Sequence, residues 1–164
     1  MGKRKKKTPA EIWCPYCGRK AMFRPASYVY GDDSIRPETF LYVCSGYPKT
    51  CDAYVGAHDH NLQPKGTMAD SELRHTRIMA HRALDAIWKQ GYMTRNETYA
   101  WMATKLNLRF KEMHIGFFSD YLCQECIKIC EDYIKQQEQL NKKRGERIKR
   151  MSMAPGGKEE RYAT

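Results

Sequence analysis

The chain has 164 residues, 41% hydrophobic and 29% charged, and 29 Lys and Arg against 19 Asp and Glu give it a formal net charge of +10. That length suits one medium domain or two small ones with a modest core, and no apolar run reaches the roughly 18–20 residues a bilayer-spanning helix needs. Seven cysteines, an odd count with no secretory leader ahead of them, argue against a disulfide scaffold and for a reducing cytoplasm.

Residues 1–12 read as a disordered basic arm, in which Lys3, Arg4, Lys5, Lys6 and Lys7 precede any structural signal. Such segments attract nucleic acid by releasing condensed counterions, a gain that needs no base recognition and weakens steeply with salt. A solvated tail that only aids solubility is the competing reading.

Residues 13–60 carry the strongest pattern. Cys14-Pro15-Tyr16-Cys17-Gly18 and Cys44-Ser45-Gly46-Tyr47-Pro48-Lys49-Thr50-Cys51 are spaced as the two halves of a zinc ribbon. Four thiolates from two tight turns surround one Zn²⁺ at about 2.3 Å and leave no position for a substrate water, so the expected ion is structural. Gly18 relieves the backbone where the first turn needs an unusual dihedral. Aromatic and β-branched residues predict strands at 21–23, 28–30 and 40–43, with Gly31-Asp32-Asp33-Ser34 as a turn signal. A ribbon this small buries too little apolar area to fold alone, so the metal supplies much of its folding free energy. His58 and His60, in the polar loop that ends at Pro64 and Gly66, are stand-in ligands that four thiolates leave unneeded.

Residues 67–140 read as three helices. Thr67-Met68-Ala69-Asp70 has capping-box spacing and predicts a helix to Lys89 with Gly91 as its stop; Leu73, Ala80, Leu84, Ile87 and Trp88 form its apolar side. A second box, Thr94-Arg95-Asn96-Glu97, opens a helix whose stripe is Tyr99, Met102, Ala103 and Leu106, with Trp101 off the stripe. Ser119 is the expected N-cap of a third helix running through Glu131. Residues 141–164 form a basic, partly disordered tail containing Lys142, Lys143, Arg144, Arg147, Lys149 and Arg150, where Gly145 and residues 152–157 weaken helicity. No internal repeat is visible.

Several constellations have two readings. Cys123, Cys126 and Cys130 either pack as small hydrophobes on the face of Leu122, Ile127, Tyr133 and Ile134, the favoured reading, or join His114 in a second metal site. Arg77, His81 and Asp85, with Arg74 one turn before, stack at four-residue spacing as a hydrogen-bonded ladder, either a phosphate-holding face or a polar seam between helices and ribbon. A metal-dependent nuclease centred on His81, Asp85 and His114 has a poor ligand set, and no nucleophile motif or phosphate-cradling glycine loop accompanies it, so no catalytic residue is assigned. Trp101, Tyr47 and Tyr54 offer flat faces for unpaired bases or simply fill small cores.

Two resemblances follow from these residues. Cys44-Ser45-Gly46-Tyr47-Pro48-Lys49-Thr50-Cys51 resembles the second knuckle of the ribbons that end bacterial type IA DNA topoisomerases, with one residue more before the second cysteine; those ribbons bind single-stranded DNA. Over about residues 14–125 the chain resembles a family of small phage and prophage proteins described as zinc-finger-containing, without established activity. The matching text includes Cys14-Pro15-Tyr16-Cys17-Gly18, Tyr42-Val43-Cys44, Cys51-Asp52-Ala53-Tyr54-Val55-Gly56 and Gly66-Thr67-Met68-Ala69. It continues with Leu73-Arg74, Arg77, Ala80-His81, Asp85, Trp88, Arg95, Tyr99, Trp101 and His114-Ile115-Gly116.

The expected protein is therefore α+β, a small N-terminal β-rich zinc ribbon followed by three helices, with one structural Zn²⁺ held by Cys14, Cys17, Cys44 and Cys51. The expected function is non-enzymatic binding of nucleic acid, DNA favoured, in a bacterial cytoplasm. Contacts are expected at the arm, Tyr47, Lys49, Arg74, Arg77, Trp101, Lys142, Lys143 and Arg144. The rival partner is a host protein such as RNA polymerase, a nuclease or a defence complex; no membrane or small-molecule substrate is expected.

Overall fold

A computed structural model describes residues 8–31 and 38–153. The arm cations Lys3, Arg4, Lys5, Lys6 and Lys7, the Asp32-Asp33-Ser34 part of the expected turn, and residues 154–164 lie outside the described residues. The fold is α+β: a small antiparallel sheet comes first and helices follow.

Strands β1 (Ala21–Pro25), β2 (Phe40–Cys44) and β3 (Tyr54–Gly56) pair in that order, with Met22 opposite Val43 and Val43 opposite Tyr54. Leu41, Tyr42, Val43 and Cys44 are all buried, so β2 is covered on both faces, as its unbroken apolar run requires. Residues 28–30 do not form a strand; they belong to a single helical turn, α1 (Ser27–Tyr30). The Ala26 carbonyl accepts from the Val29 and Tyr30 N–H groups at 3.0 and 3.1 Å, which closes a turn directly after Pro25, a residue that cannot extend the ladder. The third strand is instead Tyr54–Gly56, fixed by β2 on one side and by reciprocal Tyr54–Ala69 backbone bonds of 3.1 Å.

That pairing also moves the start of α2 (Ser71–Lys89). With Ala69 held extended, the helix begins only after Asp70, whose carboxylate accepts from the Leu73 N–H at 2.9 Å; Thr67 is not its cap. The expected end stands, because Gly91 takes a φ of +78° that side-chain-bearing residues avoid. Helix α3 (Arg95–Lys105) opens on the predicted capping box, the Thr94 N–H donating to Glu97 Oε2 at 2.8 Å and the Glu97 N–H to Thr94 Oγ1 at 3.3 Å. Helix α4 (Asp120–Ser152) starts on Ser119, which accepts from the Leu122 N–H at 3.3 Å. It runs 33 residues, straight through Gly145, since one interior glycine costs only about 1 kcal/mol.

The helical core joins Ala80, Leu84 and Ile87 of α2 to Met102 and Ala103 of α3. Cys123, Cys126 and Cys130 of α4 close it, each fully buried, as expected of thiols acting as small hydrophobes. Trp101 and Tyr133 flank this core with rings 4.9 Å apart.

Ribbon and helices meet at a tight seam. A Cβ added to Gly66 would lie 2.0 Å from the Gly116 carbonyl oxygen, so only glycine lets these backbones cross, and the Thr67 N–H donates to that oxygen at 3.0 Å. Arg77, only 9% exposed, reaches across: Nε and Nη2 donate to the Phe118 carbonyl at 3.0 and 2.8 Å, Nη1 to the Thr67 carbonyl at 2.8 Å, and Nη2 to Thr67 Oγ1 at 2.7 Å. The polar-seam reading of this helix face is the one realised. The ladder is not: Asp85 accepts from Trp88 Nε1 at 3.1 Å and Lys89 Nζ at 3.2 Å.

Candidate metal centre and the surfaces around it

Two turns carry the four candidate ligands. In the first, the Gly18 N–H returns to the Cys14 carbonyl at 2.9 Å and Gly18 takes a φ of +70°. The second follows β2, where the Tyr47 N–H bonds the Cys44 carbonyl at 3.0 Å and the Thr50 N–H the Gly46 carbonyl at 2.9 Å. The Cys44–Ala21 register holds the two turns side by side.

The four Sγ atoms all lie within 4.8 Å of one another. Cys14 and Cys51 sulfurs are 3.6 Å apart, Cys17 and Cys44 sulfurs 3.4 Å. These spacings are far too long for a disulfide of about 2.05 Å. They lie close to the about 3.8 Å that a tetrahedral ion with 2.3 Å metal–sulfur bonds imposes. Among the described residues this is the one group of His, Cys, Asp or Glu side chains gathered closely enough to ligate an ion. His58 and His60 are outside it, as are the α4 cysteines and His114.

The surroundings treat the sulfurs unequally, favouring the anion at Cys17 and opposing it at Cys44 and Cys51. A backbone bond from Arg19 is the leading cause that holds the Cys17 thiol down at about 7, and the Gly46 N–H approaches Cys44 Sγ at 3.4 Å. Burial pushes Cys44 up to about 12 and raises Cys51 as well. A cation that displaces those protons removes the cost of burying thiolates, which couples metal uptake to folding. Cys14 and Cys44 are buried while Cys17 is exposed, so the centre sits at the rim of the ribbon.

The other singled-out residues scatter. Tyr47 is half-buried in an aromatic cluster, tilted against Tyr28 at 6.1 Å and edge-on to Tyr54 at 6.3 Å. Lys49 is exposed beside it. Arg74 lies across the Tyr54 ring at 3.7 Å and donates Nη1 to the Asp52 and Ala69 carbonyls at 2.7 and 2.6 Å, so it braces the ribbon as Arg77 does, and neither forms an open phosphate face. Trp101 packs on the helical core against Tyr133. Lys142, Lys143 and Arg144 are exposed on the distal half of α4. Sequence reasoning missed the exposed ring of Tyr28, with Arg24 over it at 5.6 Å, because a helical turn rather than a strand presents it.

A four-cysteine knuckle pair on a three-stranded antiparallel sheet, followed by helices, defines a zinc-ribbon type of α+β protein. The chain belongs to the family described as a zinc-finger-containing domain, whose model matches residues 10–133. That span includes the ribbon, the glycine seam and α4 as far as Tyr133. No curated protein and no solved structure matches the chain. Among the described residues no helix is long and apolar enough to cross a membrane.

Proposed function

We propose that the protein is a non-enzymatic nucleic-acid-binding accessory protein whose four cysteines hold one structural Zn²⁺, and that it acts on single-stranded or locally open DNA. The observation that carries this reading is the distal half of α4. Between residues 141 and 152 six Lys and Arg face one acidic residue, Glu146; every one of the six is exposed, and among the described residues none has an ion-pair partner. A rigid helix holding unpaired cations is suited to phosphates, which take up charge by expelling counterions. On the ribbon, Tyr28 and Tyr47 with Arg24 and Lys49 offer a stacking edge for unpaired bases, each stacked base being worth about 1–3 kcal/mol. In this reading the protein works in the reducing cytoplasm of a bacterium, as a resemblance to small phage and prophage proteins would imply, where thiolates stay available to metal.

The nuclease reading has little behind it: Asp85 is occupied by Trp88 and Lys89 and does not join His81 and His114 in a ligand group. A second reading, docking onto a host protein, is favoured by the exposed Leu140, Ile148 and Met151 along the same stretch of α4. Fluorescence anisotropy of labelled single-stranded DNA across a salt series separates the two. Nucleic-acid binding predicts affinity that falls steeply with salt, and a Lys142→Ala/Lys143→Ala/Arg144→Ala variant whose log–log slope is shallower by about 2, as three lost single-strand phosphate contacts require. No binding at low salt leaves the docking reading.

A further inference from the structure

Between the Leu41 face of the sheet and α2 lies an open cleft of about 520 Å³, within the roughly 300–1,000 Å³ typical of small-molecule sites. Leu41 and Tyr54 of the sheet and Ile78 of α2 give it apolar walls, and Tyr30 lines it as well. Polar groups converge from separate segments: His58 from the loop after β3, Lys65 before the glycine seam, His81 from α2 and His114 from the turn before α4. Among the described residues no carboxylate lines the cleft, and the three imidazoles are not gathered as metal ligands. Desolvation is the leading cause that lowers both His58 and His81 below the ordinary imidazole value.

We infer that this cleft binds one nucleotide unit, a base seated between the apolar walls with its phosphate toward Lys65. The inference rests on the nucleic-acid reading for its choice of ligand. Neutral imidazoles both donate and accept hydrogen bonds, which matches the mixed edge of a nucleobase. Lys65 supplies a point charge for phosphate, and it is exposed at the cleft while Arg74 and Arg77 are held by their own partners. A bare metal ion would need carboxylates or clustered imidazoles, and an apolar ligand would leave the four polar groups unused. The unit can arrive as a free mononucleotide or as the phosphorylated end of a strand; the chemistry is the same.

Histidine-ring NMR of the full zinc-loaded chain tests this, with His75, outside the cleft lining, as the internal reference. Titration with dTMP, dAMP and a 5′-phosphorylated oligothymidylate is expected to shift His58, His81 and His114 saturably while His75 stays put. Thymidine and inorganic phosphate are expected to bind at least about tenfold more weakly. Response to the mononucleotides assigns a free ligand, and response to the oligothymidylate alone a strand end. A Lys65→Ala/His114→Ala variant, its backbone spectrum otherwise unchanged, should weaken the response by about tenfold or more. Absence of saturable shifts with all three phosphorylated probes, or phosphate alone binding as tightly as dTMP, overturns the inference. Those results leave the salt slope from α4 untouched, whereas failure of the α4 variant to change that slope leaves the mononucleotide shifts in place.

Discussion

The ribbon and the helical half use cysteine in opposite ways, although both contain a C-x2-C spacing. In the ribbon, Cys14 and Cys17 sit on a turn whose Gly18 is left-handed, and a second turn brings Cys44 and Cys51 to within 4.8 Å of them. In α4, Cys123 and Cys126 share a face with Cys130 and pack against Leu84, Ile87 and Met102, with no second pair opposite. Spacing alone therefore does not make a metal site; a second knuckle has to arrive from elsewhere. The same contrast governs stability. The ribbon's cluster around the ligands holds little more than Cys14, Cys44, Ala53 and Met68, while the helical core is built from Leu84, Ile87, Met102, Ile115 and Phe118.

The largest effect that would break this contrast comes from removing a ligand. Cys44→Ser should forfeit most of the folding free energy a structural zinc supplies, about 10–16 kcal/mol in small zinc modules. Amide signals of the ribbon should collapse while helical circular dichroism persists. Loss of the helical signal as well would mean that the two halves fold as one.

Arg77→Met comes next. It strips the Phe118 and Thr67 carbonyls of their charged donor, and such bonds are worth about 1.5–3 kcal/mol each with a further penalty for acceptors left buried. The variant should lose about 3 kcal/mol of stability, read as a lower midpoint of thermal unfolding. An unshifted midpoint contradicts the clamp. Cys126→Ala should cost about 1 kcal/mol for the small cavity it leaves and should not change metal content; a drop in metal per chain would move α4 into the metal account. The smallest effect is expected at the start of α3, where Thr94→Ala removes a cap worth about 1 kcal/mol, read as a modest fall in midpoint on chemical denaturation.

Local signals carried far along this chain, and long-range ones did not. The ligand set, the Thr94–Glu97 box, the Ser119 cap and the Gly91 stop are each written in a few adjacent residues, and each appears where the sequence places it. The α2 start was misplaced because a partner 15 residues upstream decides it: Tyr54 holds Ala69 extended, so the helix waits for Asp70. Likewise β3 is too short to show alternation, and residues 28–30 have strand-like side chains in a helical turn that Pro25 and the Ala26 carbonyl impose. The seam and the cleft were the least legible. Gly66 and Gly116 are 50 residues apart and reveal their role only where they cross, and His58, His81 and His114 share a wall only after that crossing is made.

The central claim is that one metal ion, and only one, is held by the four sulfurs of the ribbon. Native mass spectrometry of the purified chain, before and after exhaustive chelation, reads this directly. The account predicts a mass increment of a single zinc that chelation removes together with the ribbon's folded signals. A chain that carries no metal yet keeps those signals, or one that holds a second zinc, contradicts it.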